Sequence, residues 1–87
     1  MAEVFGRADA VVEERAGTDL LLVAPGGSVL RLAGTAVAVW EAWAAPADTE
    51  DVVAALCRRY RGDAERVRAD VVRLRELLRE HGLLTLR

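Results

Sequence analysis

Residues 28–44 read SVLRLAGTAVAVWEAWA and contain the change of pattern that decides the fold. The opening segment, SVLRL, alternates with the period of a strand, so that Leu30 lies on one face and Val29 and Arg31 lie on the other. After Gly34 the apolar residues recur at helical spacing instead. The segment therefore predicts a strand that is followed directly by a helix.

Two further strands are predicted upstream of this segment. Residues 10–15 (AVVEER) and 20–24 (LLLVA) have the length and composition of strands, and a turn-rich stretch at 16–19 separates them. Residues 25–27 (PGG) break the chain again, with two glycines that are free to adopt positive φ. Because such short turns favour an antiparallel meander, the third strand, 28–32, has one neighbour and one free edge.

Three amphipathic helices are predicted after the third strand. The first covers residues 35–44 and is ended by Pro46. The second starts at 48–51 (DTED), which resembles a capping box, and ends at 61–62 (RG). The third covers 64–81, with an aspartate before it as N-cap and a glycine after it as stop. Its inner apolar stripe consists of Val67, Val71, Leu74 and Leu78.

Length and composition indicate one globular domain. A chain of 87 residues is too short for two domains. We predict a single domain over residues 1–87, with its core in 10–84. The expected fold class is α+β and winged-helix-like, with a three-stranded antiparallel sheet followed by three helices that cover it. No apolar run approaches the roughly 20 residues that span a bilayer, and a single cysteine fits a reducing compartment, so we expect a cytoplasmic protein without a membrane partner.

Residue types that carry catalysis or bind metals are scarce. His81 is the sole histidine and lies at the end of the last helix, while Cys57, the sole cysteine, lies on the second helix with no histidine nearby in sequence. One of each is too few for a thiol or imidazole metal site within one chain. We therefore expect a binding protein rather than an enzyme, with no metal and no cofactor.

The free edge of the third predicted strand is the first surface that could bind a ligand. Such an edge presents unpaired N–H and C=O groups, which proteins either blunt or use to bind an extended peptide. Pro25 and Arg31 are residues of the kind that blunt an edge. The edge by itself is consistent with both interpretations.

An outer stripe of the last helix is the second such surface. Arg68, Val72, Arg75 and Arg79 recur on it at roughly 3.6-residue spacing. From Ala64 onward the chain has six arginines against four acidic residues, although its formal net charge is -2. A solvated arginine face fits this pattern, and so does a surface that binds acidic residues around an apolar anchor at Val72.

The order of these features resembles the PqqD family, the leader-peptide recognition domains of ribosomal peptide natural-product pathways. A strand ends at Leu32, Thr35 and Ala36 open a helix that contains Trp40 and Glu41, and Glu50 and Asp51 open the next; residues 53–56 (VAAL), Tyr60, Asp63 and 82–84 (GLL) then follow in the family's order. The resemblance covers roughly residues 11–84. Ala33 departs from it, because the family often has Asn or another capping residue there, so we expect the first helix to be less well capped.

The resemblance implies a mode of binding and a set of partners. A precursor's leader segment would add as an extra strand beside the third strand, and its side chains would enter a cleft against the last helix. Carried over by position, the peptide-binding residues are Val29, Leu30 and Arg31 on the strand and Val67, Arg68, Val71, Val72 and Arg75 on the helix, of which Leu30 and Val67 fit the core equally well. The implied partners are the precursor peptide and a modifying enzyme or leader peptidase of the same pathway.

Two other functions fit the same pattern. A winged-helix DNA-binding regulator also combines three helices, a small sheet and an arginine-bearing helix. The net acidity weighs against it, as does a sheet that precedes the helices, so nucleic acid is not the expected partner. A structural subunit whose free edge is covered by dimerisation is the third alternative.

Overall fold

The computed structural model describes residues 2–87, which form six strands and three helices. The strands are β1 (Val4–Arg7), β2 (Val12–Ala16), β3 (Asp19–Val23), β4 (Val29–Leu32), β5 (Ala47–Asp48) and β6 (Leu84–Leu86). The helices are α1 (Thr35–Ala42), α2 (Thr49–Arg59) and α3 (Ala64–Glu80). The predicted α+β fold, with a three-stranded antiparallel sheet followed by three helices, is confirmed.

The predicted meander is the antiparallel sheet β2-β3-β4. Leu22 pairs with Leu30 and Leu20 with Leu32, in the register that short connections impose. Leu20, Leu22 and Leu32 are buried, whereas Val29, on the opposite face of β4, is exposed. The alternation expected from the sequence is therefore confirmed, and β4 lies at the edge of the sheet.

A second sheet, of order β5-β1-β6, was not predicted. In β1, Phe5 pairs with Ala47 on one side and with Leu86 on the other. The Phe5 ring is buried and lies edge-on to Trp43, with ring centroids 6.5 Å apart. The packed core thus extends beyond the range 10–84, because a short strand gains its partners from distant parts of the chain.

The helix boundaries follow local capping chemistry. Asp48 Oδ1 accepts a hydrogen bond from the Asp51 N–H at 2.7 Å, and Asp63 Oδ1 accepts one from the Glu65 N–H at 3.0 Å. These contacts satisfy N–H groups that the first turn of a helix leaves unpaired. The start of α1 has no side-chain cap, as the departure at Ala33 predicted. Within residues 2–87, no helix has both the length and the apolar character that crossing a membrane requires.

A closed network of side chains joins the two sheets to α1. The Arg7 guanidinium lies 4.2 Å from the centroid of the Trp40 ring, and it donates to the Trp40 C=O at 2.7 Å. The Trp40 indole N–H donates to Glu13 Oε1, and Arg7 forms an ion pair with the same oxygen at 3.3 Å. Strand β1, strand β2 and helix α1 are therefore fixed to one another by three mutual contacts.

Gly34 makes the connection between β4 and α1. Its backbone has φ 59° and ψ -132°, a conformation that only glycine adopts readily. Apart from Gly34 itself and its two chain neighbours, no heavy atom of residues 2–87 lies within 4 Å of the position that a Cβ would occupy there. The requirement for glycine is consequently a property of the backbone and not of packing.

We expect Gly34→Ala to lower the free energy of unfolding by about 1–3 kcal/mol, the typical cost of a side chain in such a conformation. Gly62→Ala is the matched control, since that glycine also has open space but lies outside the positive-φ region. It should leave stability unchanged or raise it by up to about 1 kcal/mol through the unfolded state. Urea denaturation of both variants checks this, and equal effects would contradict the backbone argument.

Candidate functional site

The free edge of β4 exposes the backbone groups of Val29 and Arg31. In an antiparallel sheet, the N–H and C=O groups of successive residues point alternately toward the two sides of the strand. The Ala24 N–H donates to the Ser28 C=O at 2.8 Å, so this alternation directs the backbone groups of Leu30 toward β3. Those of Val29 and Arg31 point outward, where β4 has no neighbouring strand among the described residues, 2–87.

The opposite edge of this sheet, β2, has a different character. Its sequence, VEERA, contains Glu13, Glu14 and Arg15. Glu13 accepts from the Trp40 indole, and Arg15 lies 3.4 Å from Glu41 on α1. Charged side chains are a common means of blunting an edge, so β4 is the better strand for pairing with another chain.

The outer face of the sheet carries the side chains of Val29 and Arg31. Val12 pairs with Val23 and Val23 with Val29, which places three valines in a row across the sheet. Val12 and Val29 are each 59% exposed. The Arg31 guanidinium lies 2.8 Å from Asp19 Oδ2, so its charge is directed along the outer face and leaves the edge open.

Three of the predicted site residues face the interior. Leu30 and Val67 are half-buried and pack against the core, as the alternative interpretation of these residues expected. Val71 is fully buried within the core. In this conformation it supports the wall of the site and has no exposed surface of its own.

A groove of about 450 Å³ lies between the start of α1 and the C-terminal part of α3, residues 70–80. We call it the α1–α3 groove. Because only two residues, Ala33 and Gly34, separate β4 from α1, the groove begins within a few residues of the free edge. Its apolar lining is Ala36, Val39, Leu74 and Leu77, and its polar lining is Thr35, Asp70, Arg73, Glu76 and Glu80.

The predicted stripe lies on the other flank of α3. At 100° per residue, positions 68, 72 and 75 fall on one side of the buried line through Val71 and Leu78, and Leu77 falls on the other. Val72 is half-buried in an open depression that it shares with Arg68. The stripe therefore lies across α3 from the α1–α3 groove, whose α1 wall follows β4 in the chain after two residues.

The arginines of the stripe have partners within the chain. The Arg68 Nε lies 3.0 Å and 3.2 Å from the two carboxylate oxygens of Glu50, and a second guanidinium nitrogen lies 2.6 Å from one of them. Arg75 donates to Thr49 Oγ1 at 2.9 Å, and its guanidinium carbon lies 5.2 Å from the centroid of the Phe5 ring. The local positive charge predicted from the sequence is thus partly neutralised.

The groove-lining flank of α3 was not predicted as a site. Leu77 is 36% exposed, although it lies next to the buried Leu78 in sequence. Asp70 and Glu80 border the same groove at spacings that place them on the same side of the helix as Leu77. An apolar residue outside the inner stripe, flanked by acids at helical spacing, is the signal that could have found this surface.

Cys57 and His81 lie in the elements predicted from the sequence. Cys57 is half-buried on α2, and His81 caps the C-terminus of α3. No group of three or more His, Cys, Asp or Glu residues between positions 2 and 87 is arranged to hold a metal ion.

The fold and the site together define a small α+β domain with an open sheet edge at β4 and an apolar groove between α1 and α3. The sequence model of the family described as Coenzyme PQQ synthesis protein D (PqqD) matches residues 19–84, which is more than half of the chain. The chain belongs to the PqqD family, and the resemblance seen in its sequence is confirmed.

A solved structure has the same architecture. The structure of TbiB1 in complex with the TbiA(beta) leader peptide superposes with a TM-score of 0.79 and 24% sequence identity, and the match covers 91% of this chain and 93% of that chain. At this identity the likeness shows the fold. A search of curated proteins found no match.

We expect the Glu50 carboxyl to titrate below its ordinary range, because the hydrogen bonds from Arg68 hold its pKa down. Arg68→Gln should raise this pKa toward the ordinary value, whereas Arg66→Gln, the same charge change on the same helix, should not. Since the folded-state pKa is the lower one, the stabilising contribution is present above the unfolded pKa and is lost as pH falls through the folded pKa. An NMR titration of the Glu50 side chain checks this, and an unchanged curve in Arg68→Gln would contradict it.

Proposed function

We propose that this protein recognises the leader segment of a ribosomally synthesised precursor peptide. The leader adds as a strand to the free edge of β4, and its inward side chains enter the α1–α3 groove. The protein is not a catalyst in this proposal: it holds the peptide while a modifying enzyme or a leader peptidase of the same pathway acts on it.

The observation that carries the proposal is an open β4 edge whose strand leads, after two residues, into one wall of an apolar groove. Outward N–H and C=O groups at Val29 and Arg31 offer hydrogen bonds to any extended chain. Leu74 and Leu77 offer apolar surface to side chains that alternate toward the helices. Backbone pairing supplies affinity and the groove supplies sequence preference, which is the division of roles typical of strand addition.

The comparisons support the same ligand. The match to the PqqD family model covers residues 19–84, which include β4, the groove lining and the whole of α3. TbiB1, which shares the fold, is seen with a leader peptide bound. A leader peptide is therefore the extended chain that we assign to the β4 edge.

Strand addition also explains how a bound peptide could be passed to an enzyme. Pairing uses one edge of the leader and leaves the rest of the precursor outside the domain. The bound segment is fixed in register by its hydrogen bonds, which lowers the entropy cost of a second protein's binding nearby. We propose that the partner enzyme acts on this free part of the precursor.

The two flanks of α3 make unequal contributions in this proposal. Peptide side chains that enter beside β4 reach the α1–α3 groove, with its four apolar residues, first. Arg68, Val72 and Arg75 form a second contact for a more distant part of the peptide, with Val72 as its apolar element. Arg68 and Arg75 each have a partner within the chain already, so their exchange for peptide carboxylates adds little.

The winged-helix DNA-binding alternative has weaker support. A phosphate-binding face needs arginines that are free to replace counterions, whereas Arg68, Arg75 and Arg79 each lie within ion-pair distance of a glutamate. The structural-subunit alternative covers the β4 edge with a second copy of the chain. The duplex-binding measurement below tests the DNA-binding alternative.

We expect Val29→Pro and Arg31→Pro to weaken peptide binding, because each removes one outward N–H donor from the β4 edge. The loss should be about 1 kcal/mol for each hydrogen bond, or roughly fivefold in Kd. The probe is a fluorescent peptide selected on the wild-type chain from a random display library, and the measurement is fluorescence anisotropy.

Two sets of controls separate the backbone from other effects. Val29→Ala and Arg31→Ala report the loss of the side chain alone. Arg15→Pro removes an outward donor from the opposite edge, β2, and should leave binding unchanged. Equal losses at both edges would argue against strand addition. Binding of a random-sequence duplex with a salt slope near -0.9 per neutralised phosphate, and no peptide binding, would support the DNA-binding alternative.

We expect Leu77→Asp to weaken the same peptide by about tenfold or more, since a fully buried apolar side chain contributes about 1.5–3 kcal/mol. Val72→Asp, a matched change on the opposite flank of α3, should have a smaller effect, and Arg68→Ala a smaller one still. Both apolar residues are partly exposed, so the variants should remain folded. If Val72→Asp weakened binding more than Leu77→Asp in the anisotropy titrations, the principal contact would be with the stripe instead.

A further inference from the structure

The polar lining of the α1–α3 groove is unbalanced in charge. It contains three acids, Asp70, Glu76 and Glu80, and one arginine, Arg73. The Arg73 guanidinium lies 3.2 Å from Asp70 Oδ1, so these two residues largely offset each other. The other two acids, Glu76 and Glu80, lie at the end of the groove nearer the C-terminus of α3, and Glu80 is the one without an ion-pair partner among residues 2–87.

Glu76, the first of these two acids, is paired with arginines of the same helix. Arg75 Nε lies 2.9 Å from its Oε2, and an Arg79 nitrogen lies 3.5 Å away. The hydrogen bond from Arg75 is the main cause of a lowered pKa at Glu76. Both arginines approach from the flank of α3 that faces Phe5, so they do not fill the groove.

Glu80 differs because it has no cationic partner within ion-pair distance among residues 2–87. It also lies in the last turn of α3, whose basic residue, Arg79, is directed toward Glu76 instead, at 3.5 Å. The C-terminus of a helix carries partial negative charge, so an acid there is electrostatically unfavourable unless a cation lies near it. Helix and side chain thus both favour a positive ligand group at this end of the groove.

The apolar lining fixes where such a cation would lie. Glu80 follows Leu77 by three residues, or about 4.5 Å along the helix axis at 1.5 Å per residue. An extended peptide rises about 3.3 Å per residue. A peptide side chain seated on Leu77 therefore has its neighbours, within about two residues, beside Glu80.

We infer that the α1–α3 groove selects a peptide segment in which a Lys or Arg lies within about two residues of an apolar anchor, with the anchor on Leu77 and the cation at Glu80. This inference rests on the proposed function, and it adds a sequence preference that family membership does not supply. It differs from the acidic-residue preference expected for the arginine stripe. An acidic groove also disfavours phosphate-bearing ligands.

The test is a charge-reversal selection from a phage-displayed library of random peptides. Wild-type protein should enrich Lys or Arg near an apolar residue, whereas Glu80→Arg should lose this preference and enrich Asp or Glu. Glu14→Arg makes the same charge change on the outer face of β2 and should select as the wild type does. Circular dichroism checks that each variant is folded. If Glu80→Arg is unstable, Glu80→Gln replaces it and should lose the preference for Lys or Arg without reversing it.

The affinity of a synthetic copy of an enriched peptide is then measured. Changing its Lys to Glu should weaken binding to the wild type by about fivefold, in line with one exposed ion pair that becomes a repulsion. The same change should strengthen binding to Glu80→Arg. If peptides bind but their charge preference is the same on the wild type and on Glu80→Arg, this inference is overturned and the proposed function is not. Failure to enrich any peptide on the wild-type chain would overturn the proposed function with it.

Discussion

The contact between Arg7 and Trp40 is the constraint on which the arrangement of the molecule depends. Arg7 stacks on the indole ring, binds the Trp40 carbonyl and pairs with Glu13, and Glu13 in turn accepts from the indole N–H. Each residue comes from a different element, so one network fixes β1, β2 and α1. The sheet that ends in β4 is thereby held over α1, which sets the position of the open edge relative to the groove.

Local chemistry made part of this fold predictable. The alternation at Val29 and Leu30, and the aspartate caps at Asp48 and Asp63, depend on neighbours within a few residues, and the structure retains each of them. The second sheet depends on pairs such as Phe5 with Leu86, which are almost the whole chain apart. No local pattern in a strand as short as β1 indicates such a partner.

The site was predictable to a smaller extent, for a related reason. The free edge of β4 follows from strand order alone. The role of α3 does not, because the sequence shows six arginines after Ala64 without showing which acids neutralise them. Arg68 and Glu50 are on different helices, and only packing of α2 against α3 brings them together. The groove was missed because Leu77 lies beside the inner stripe, where one exposed apolar residue is unremarkable by itself.

The pairing of β1 with β6 has a consequence for synthesis of the chain on the ribosome. Until residues 84–86 have been made, only two residue pairs with β5 hold β1, and the aromatic ring of Phe5 lacks part of its cover. Translation proceeds at about 5–20 residues per second, whereas small domains fold within about a second or faster. Residues 84–86 follow β1 by about 80 residues, so at this rate β1 waits several seconds after its own synthesis before its pairing can be completed.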